Sequence, residues 1–264
     1  MRTGLESFDL LANAGCAGCR QPFAIDIAMA FQPIIDVTDG SVFAYEALVR
    51  GANGEGAAAV LAHVTPDTRF AFDQLCRRTA VEAAARLGIQ SLVSINFMPN
   101  AVYEPALCLG TTLAAAQRHG FPIDNIMFEV TEGEKIEDRP HLTRILAEYK
   151  RQGFTTAIDD FGAGHSGLNL LAEFQPDVVK LDMDLIRGID GSRVRQAILA
   201  SMMSLAEAIG MSVVAEGIET VEEYACLKSM GVTLMQGYLF ARPELGRLPA
   251  VVLPETPRAH AAVA

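Results

Sequence analysis

The sequence predicts an α/β fold, a TIM-like (β/α)8 barrel in which the first β-hairpin makes one strand antiparallel. Three observations lead there. Short β-branched or apolar runs alternate with longer amphipathic stretches along the middle of the chain. No Gly-x-Gly-x-x-Gly turn follows any of the runs, which argues against an open dinucleotide-binding sheet. A chain of 264 residues, half of them apolar, can bury the core of one such barrel.

The expected strands are 29–35, 42–49, 92–96, 126–130, 155–158, 178–181, 212–215 and 234–237. Only Asp36-Val37-Thr38-Asp39-Gly40-Ser41, with its Asp-Gly turn signal, separates the first two, so they pair as an antiparallel hairpin. From the second strand on, the separators are long enough for crossover helices at 67–87, 105–119, 140–152, 168–173, 192–209 and 220–229. The first of these carries Phe72, Leu75, Cys76, Thr79 and Ala83 along one stripe, with Asp67 as the expected N-cap and Gly88 as the stop. Residues 1–26 read as a polar, Cys-containing leader, 27–247 as the barrel and 248–264 as a Pro- and Ala-rich tail.

Composition narrows the function. With 32 acidic against 21 basic side chains the formal net charge is -11, a field that repels DNA, RNA and anionic membrane. A phosphate substrate would need its charge balanced by something else, and bound divalent metal is the usual device. No signal-peptide pattern and no run of about 18 apolar residues is present, so a cytoplasmic location is expected. Cys76, Cys108 and Cys226 stand singly in apolar helical patterns as small hydrophobes. Cys16 and Cys19 form one C-x-x-C pair, half of a four-ligand zinc site; the leader is read as unliganded, with a metal or redox switch as the alternative.

The polar residues fall at the strand ends. Glu46 lies inside the second strand; Asn96 ends the third, Glu129 the fourth, Asp159 and Asp160 the fifth, Lys180 the sixth, Glu216 the seventh and Gln236 the eighth. Any one of these alone reads as a solvated turn residue or the cap of the next helix. Recurring on seven strands, they share one rim of a parallel barrel, where active sites are built. Carboxylates and an amide converging there would repel one another unless cations sit among them. Oxygen donors without His or Cys suit Mg²⁺ or Mn²⁺ and admit Ca²⁺. Two such ions about 4 Å apart fit phosphodiester hydrolysis.

Phe31-Gln32-Pro33-Ile34, Tyr45-Glu46-Ala47-Leu48-Val49-Arg50, Ser94-Ile95-Asn96, Phe128-Glu129-Val130-Thr131-Glu132, Ile158-Asp159-Asp160-Phe161-Gly162-Ala163-Gly164, Val179-Lys180-Leu181-Asp182, Ala215-Glu216-Gly217-Ile218-Glu219-Thr220 and Gln236-Gly237-Tyr238 occur in that order. In this order and over residues 28–243 the chain resembles the EAL domains, bacterial phosphodiesterases that open cyclic di-GMP to linear pGpG. Glu-Ala-Leu by itself is a weak signal; the ordered series is specific. The resemblance implies two ions, Mg²⁺ or Mn²⁺; Ca²⁺ is expected to be inhibitory on the ground of its longer bonds and looser geometry. Glu46, Asn96, Glu129 and Asp159 would bind one, and Asp159, Asp160 and Glu216 the second.

The resemblance further implies that Lys180 orients or deprotonates the attacking water, Gln236 supports the site, and Glu132 anchors the loop 160–168. Gln32, Leu48, Arg50 and Asp182 match substrate-contacting positions, and a guanidinium such as that of Arg50 can fork onto phosphate oxygens. A homodimer is implied as well; regulation is left open between dimerisation, the leader and an unknown regulatory partner. Alternatives stand beside these roles: Lys180 as an ion-pair partner of Asp160 or Asp182, Arg50 as a cover for the rim, and Gly217 and Gly237 as loop conformers. Two departures are Gly51, where many relatives carry a bulky residue, and His165-Ser166-Gly167, where Tyr-Ser-Ser is commoner. The alternative function is a non-catalytic cyclic di-GMP receptor or protein-interaction module on the same fold; another metal-dependent barrel hydrolase leaves the motif series unexplained.

Overall fold

β1 (Ile27–Asp36) and β2 (Val42–Gly51) form an antiparallel hairpin, closed where the Asp36 N–H donates to the Ser41 carbonyl at 2.9 Å. The computed structural model describes residues 22–132, 138–164 and 167–254, so the Cys16/Cys19 pair, His165, Ser166 and the end of the tail lie outside the described residues. After β2 the chain runs through α1 (Ala57–Leu61), α2 (Arg69–Leu87), β3 (Leu92–Asn96), α3 (Pro105–Cys108), α4 (Gly110–His119), β4 (Ile126–Thr131) and α5 (Arg139–Arg151). There follow β5 (Thr155–Phe161), α6 (Gly167–Glu173), β6 (Val178–Leu181), α7 (Met183–Ile186), α8 (Arg193–Ile209), β7 (Ser212–Ala215), α9 (Val221–Ser229), β8 (Leu234–Met235) and β9 (Glu244–Leu245). β2 to β8 are parallel and in sequence order, and β1 closes the barrel between β8 and β2, antiparallel to both. The fold class is the one the sequence predicts.

The helices follow their local chemistry. In α5, Leu142, Ile145, Leu146 and Tyr149 recur at helical spacing and are all fully buried. Each such side chain contributes about 1.5–3 kcal/mol relative to exposure. Asp138 caps the helix by accepting the His141 N–H at 2.9 Å, and Pro140 occupies the first turn, where its missing N–H is not needed. Ser192 and Thr220 cap α8 and α9 in the same way.

Some element ends differ from expectation. Asp67 is not the cap of α2. Thr68 holds that position, because the Thr65 N–H donates to the Thr68 hydroxyl at 2.9 Å and the Thr68 N–H donates back to Thr65 Oγ1 at 3.3 Å, closing the preceding turn. The expected helix 105–119 is broken after Cys108, where Gly110-Thr111-Thr112 are weak helix formers. The last barrel strand ends at Met235, and β9, which the sequence reading lacks, pairs with Ala30 and Phe31 of β1.

The barrel interior explains where the polar residues go. Its closed end is filled by Ile34, Ala44, Met127, Ala157, Val178, Val214 and Leu234. Side chains alternate faces along a strand, so the residue two positions from each also points inward. Those residues are Gln32, Glu46, Glu129, Asp159, Lys180, Glu216 and Gln236. An apolar layer thus underlies a polar one at the C-terminal ends of the parallel strands, where barrel active sites lie.

Candidate metal centre at the barrel rim

Lys180 is fully buried at the middle of this layer. Its Nζ lies 2.8 Å from Asp159 Oδ1, 2.8 Å from Glu216 Oε1, 3.2 Å from Glu129 Oε2 and 3.5 Å from Glu46 Oε2. It is an ion-pair residue, with partners other than the Asp160 and Asp182 weighed from the sequence. Glu46 also accepts the Asn96 amide at 3.2 Å and the Gln236 amide at 2.7 Å, and Gln236 donates to Gln32 Oε1 at 3.3 Å.

Asp159 and Asp160 are adjacent, and strict alternation would send them to opposite faces. A bulge between Ile158 and Phe161 breaks the register, and Asp160 takes a left-handed backbone with φ of 53°. As a result the carboxylates form two groups that share Asp159: Glu46, Glu129 and Asp159, and Asp159, Asp160 and Glu216, with ligand atoms of each group within 4.8 Å of one another.

Five carboxylates around one ammonium leave the cluster formally four charges negative. Burial pushes the Glu129 and Glu216 carboxyls up; Lys180 opposes it, and Asp159 and Glu46 reinforce it. Asp160 is pushed up to about 6 by burial, then by Asp159 and Asp182. Burial alone would favour loss of the Lys180 proton, but Asp159, Glu129, Glu216 and Glu46 outweigh it and hold the ammonium well above its ordinary range. Glu129 Oε1 is buried with no hydrogen-bond partner among the described residues. A buried anionic oxygen without a donor, in an all-oxygen set of excess negative charge, is the chemistry a hard divalent cation satisfies.

Glu132 sits beside this cluster. Its Oε2 accepts the Gly162 N–H at 2.7 Å and the Gly164 N–H at 3.3 Å, and its Oε1 accepts the Gly167 N–H at 2.7 Å. The approach is close enough that a Cβ at Gly167 would lie 2.9 Å from Glu132 Cδ.

A cleft of about 270 Å³ opens above the carboxylates, lined by Gln32, Glu46, Asp159, Asp160, Asp182 and Glu216 among others. Two of the four expected substrate contacts, Gln32 and Asp182, are therefore on it. Leu48 lies instead with Asn96 in the wall of a neighbouring apolar cavity, and Arg50 donates to the Val49 carbonyl at 2.7 Å. The sequence reading missed Met183 and gave no role to Glu219 and Tyr238, quoted there only within motifs; all three also line the cleft. Tyr238 had one available signal, an aromatic directly after Gln236-Gly237; its ring is stacked by the Arg242 guanidinium at 4.2 Å. Gly237 has a steric reason, since a Cβ there would lie 2.0 Å from the Ile218 carbonyl oxygen.

Fold and site together define a (β/α) barrel with an acidic, metal-suited rim. The EAL domain model matches residues 23–243, and the chain belongs to that family. It is 52% identical to a standalone EAL protein from Vibrio cholerae O395 in a cyclic di-GMP-bound crystal structure, with a TM-score of 0.84 covering 87% of this chain and 97% of that one. Klebsiella pneumoniae BlrP1, in a complex with calcium and cyclic di-GMP, is 36% identical with a TM-score of 0.81, over 88% of this chain and 58% of that one.

Among curated proteins, the antirepressor BluF of Escherichia coli K12 is 29% identical over 238 residues, 90% of this chain and 59% of that protein. The cyclic di-GMP phosphodiesterase RocR of Pseudomonas aeruginosa is 34% identical over 159 residues, 60% of this chain and 40% of that protein. The chain thus spans less than two thirds of the length of these curated relatives. No helix among the described residues is long and apolar enough to cross a membrane.

Proposed function

We propose that the chain is a metal-dependent phosphodiesterase that opens cyclic di-GMP to linear pGpG. The observation that carries this reading is the pair of carboxylate groups sharing Asp159. Two divalent ions, Mg²⁺ or Mn²⁺, supply when bound the positive charge that acidifies an attacking water and balances the phosphate. Glu46, Asn96, Glu129 and Asp159 would hold one, and Asp159, Asp160 and Glu216 the other.

The chain's own groups do the rest. Lys180, held as an ammonium, donates hydrogen bonds and accepts no proton until the field of its carboxylate neighbours is offset; its part is to orient the water and balance charge. Gln236 fixes Glu46 through its amide N–H, and its buried Oε1 lacks a donor among the described residues, leaving an acceptor for water or substrate. Glu132 holds the backbone that follows Asp160. Asp182 and Glu219 both place a carboxylate on the cleft wall; Glu219 is taken up by Arg187 at 2.6 Å and Asp182 Oδ1 by the Asp184 N–H at 2.8 Å, which leaves Asp182 Oδ2 as the acceptor for the N–H edge of a guanine. Arg50 is held on the Val49 carbonyl and would have to release it to act on a phosphate.

Chromatography of products after incubating the purified protein with cyclic di-GMP tests the reading. Linear pGpG is expected with Mg²⁺ or Mn²⁺ and none with EDTA. Ca²⁺, with longer bonds and looser geometry, is expected to permit substrate binding with little turnover. Intact substrate after prolonged incubation with Mn²⁺ would favour the receptor reading, whose support is the similarity to a protein named an antirepressor. A homodimer and a cytoplasmic location belong to the same proposal, the former read out by sedimentation.

A further inference from the structure

Arg77 of α2 is the largest fully buried side chain among the described residues. Its Nε lies 2.7 Å from Asp73 Oδ2, one turn earlier, and its Nη1 donates to the Tyr149 hydroxyl of α5 at 2.7 Å. The guanidinium carbon lies 4.9, 5.4 and 5.5 Å from the ring centroids of Phe128, Phe97 and Tyr149. Stability alone does not account for such a pair, because apolar side chains of similar volume commonly serve as well or better.

The second oxygen of Asp73 gives the pair another task. Asp73 Oδ1 accepts the backbone N–H of Met98 at 3.0 Å, just past Asn96. The intervening Phe97 donates its own N–H to the Glu129 carbonyl at 3.0 Å. Phe97 follows Asn96 and Phe128 precedes Glu129. Alternation along the strands therefore turns Asn96 and Glu129 into the barrel while presenting Phe97 and Phe128 to the guanidinium behind it.

We propose that Asp73 is a positioning residue for the Asn96 and Glu129 half of the metal centre. Asp73 tethers the backbone beyond Asn96, and Arg77 serves it as the buried counter-charge, a part that falls away once Asp73 is made neutral. The pair touches no substrate, and the inference rests on the metal-centre reading above.

The test compares two double variants, Arg77→Met/Asp73→Asn and Arg77→Met/Asp73→Leu, in full-length protein. Both remove the buried charges, and only the first keeps an acceptor for the Met98 N–H. Mn²⁺ affinity is measured by calorimetry on metal-free protein, with thermal melting to show that each variant is folded. The Asp73→Asn version should bind Mn²⁺ within about threefold of wild type, and the Asp73→Leu version at least tenfold more weakly, the usual scale for groups that orient metal ligands.

Equal affinities in folded variants would overturn the positioning role. Should a double variant fail to fold, Asp73→Asn and Asp73→Ala make the same comparison with Arg77 in place. Wild-type protein that binds no Mn²⁺ would instead sink the metal-centre reading, and this proposal with it.

Discussion

Lys180 Nζ lies 2.8 Å from Asp159 Oδ1, so the side chain that both carboxylate groups share is also among those the buried ammonium holds most closely. In the metal-free protein Lys180 does the work of a cation. Removing one partner of a buried charge cluster costs about 3–5 kcal/mol, and Lys180→Met should lower the melting temperature in EDTA accordingly. Because the variant lacks its internal counter-charge, Mn²⁺ should stabilise it by more than it stabilises wild type. Turnover should fall by about 10² to 10⁴. Equal Mn²⁺-induced shifts in both proteins would mean that Lys180 does not offset the carboxylates.

Among the described residues, Glu132 accepts the backbone N–H groups of Gly162, Gly164 and Gly167, on either side of residues 165–166. Glu132→Ala leaves all three without their acceptor, while the barrel core is untouched. Limited proteolysis should then cut near residues 162–167 at protease concentrations that spare wild type, and kcat should fall at least tenfold. Cyclic di-GMP affinity in Ca²⁺ should change far less. A resistant loop with normal kcat would show that these hydrogen bonds are dispensable.

The inward-facing polar residues were legible because five of the strands repeat one short pattern. Ala44 and Glu46, Met127 and Glu129, Ala157 and Asp159, Val178 and Lys180, and Val214 and Glu216 each place a polar group two positions beyond an apolar one on the same inward face. That period survives in a linear sequence. Asp73 and Arg77 were not legible, because an Asp and an Arg one turn apart read as an exposed helical pair. Nothing local reveals that α5 brings Tyr149 down over them. The cleft wall at Glu219 and Tyr238 is formed by two loops tied to each other by the Ile218 N–H to the Gln236 carbonyl and the Leu239 N–H to the Ile218 carbonyl, both at 3.1 Å, a pairing that local sequence does not reveal.

Glu46 accepts amides from both Asn96 and Gln236 and belongs to the first carboxylate group. Glu46→Ala should abolish most turnover and weaken Mn²⁺ binding by tenfold or more, on the scale of a lost ligand or its supporting group. In EDTA its melting temperature should be equal to or above that of wild type, since one fewer carboxylate remains in a repelling cluster. A metal-free variant that unfolds outright would assign Glu46 a structural role instead.

Asp160 links the site to pH. Its carboxyl is pushed from an ordinary 3.8 to about 6, by burial first and then by Asp159 and Asp182. Between those values the folded, metal-free protein binds more protons at this position than the unfolded chain does, so stability falls as pH rises through the window. Below it both states are protonated and the penalty vanishes. Asp160→Asn cannot ionise, and Asn tolerates the left-handed backbone found here, so the substitution removes the charge without adding strain. Melting curves in EDTA at pH about 5 and about 7.5 should show the variant gaining on wild type at the higher pH. Bound Mn²⁺ should reverse the order, because the ion favours the carboxylate and the variant lacks one. Parallel curves for the two proteins in EDTA would show that Asp160 carries no such penalty.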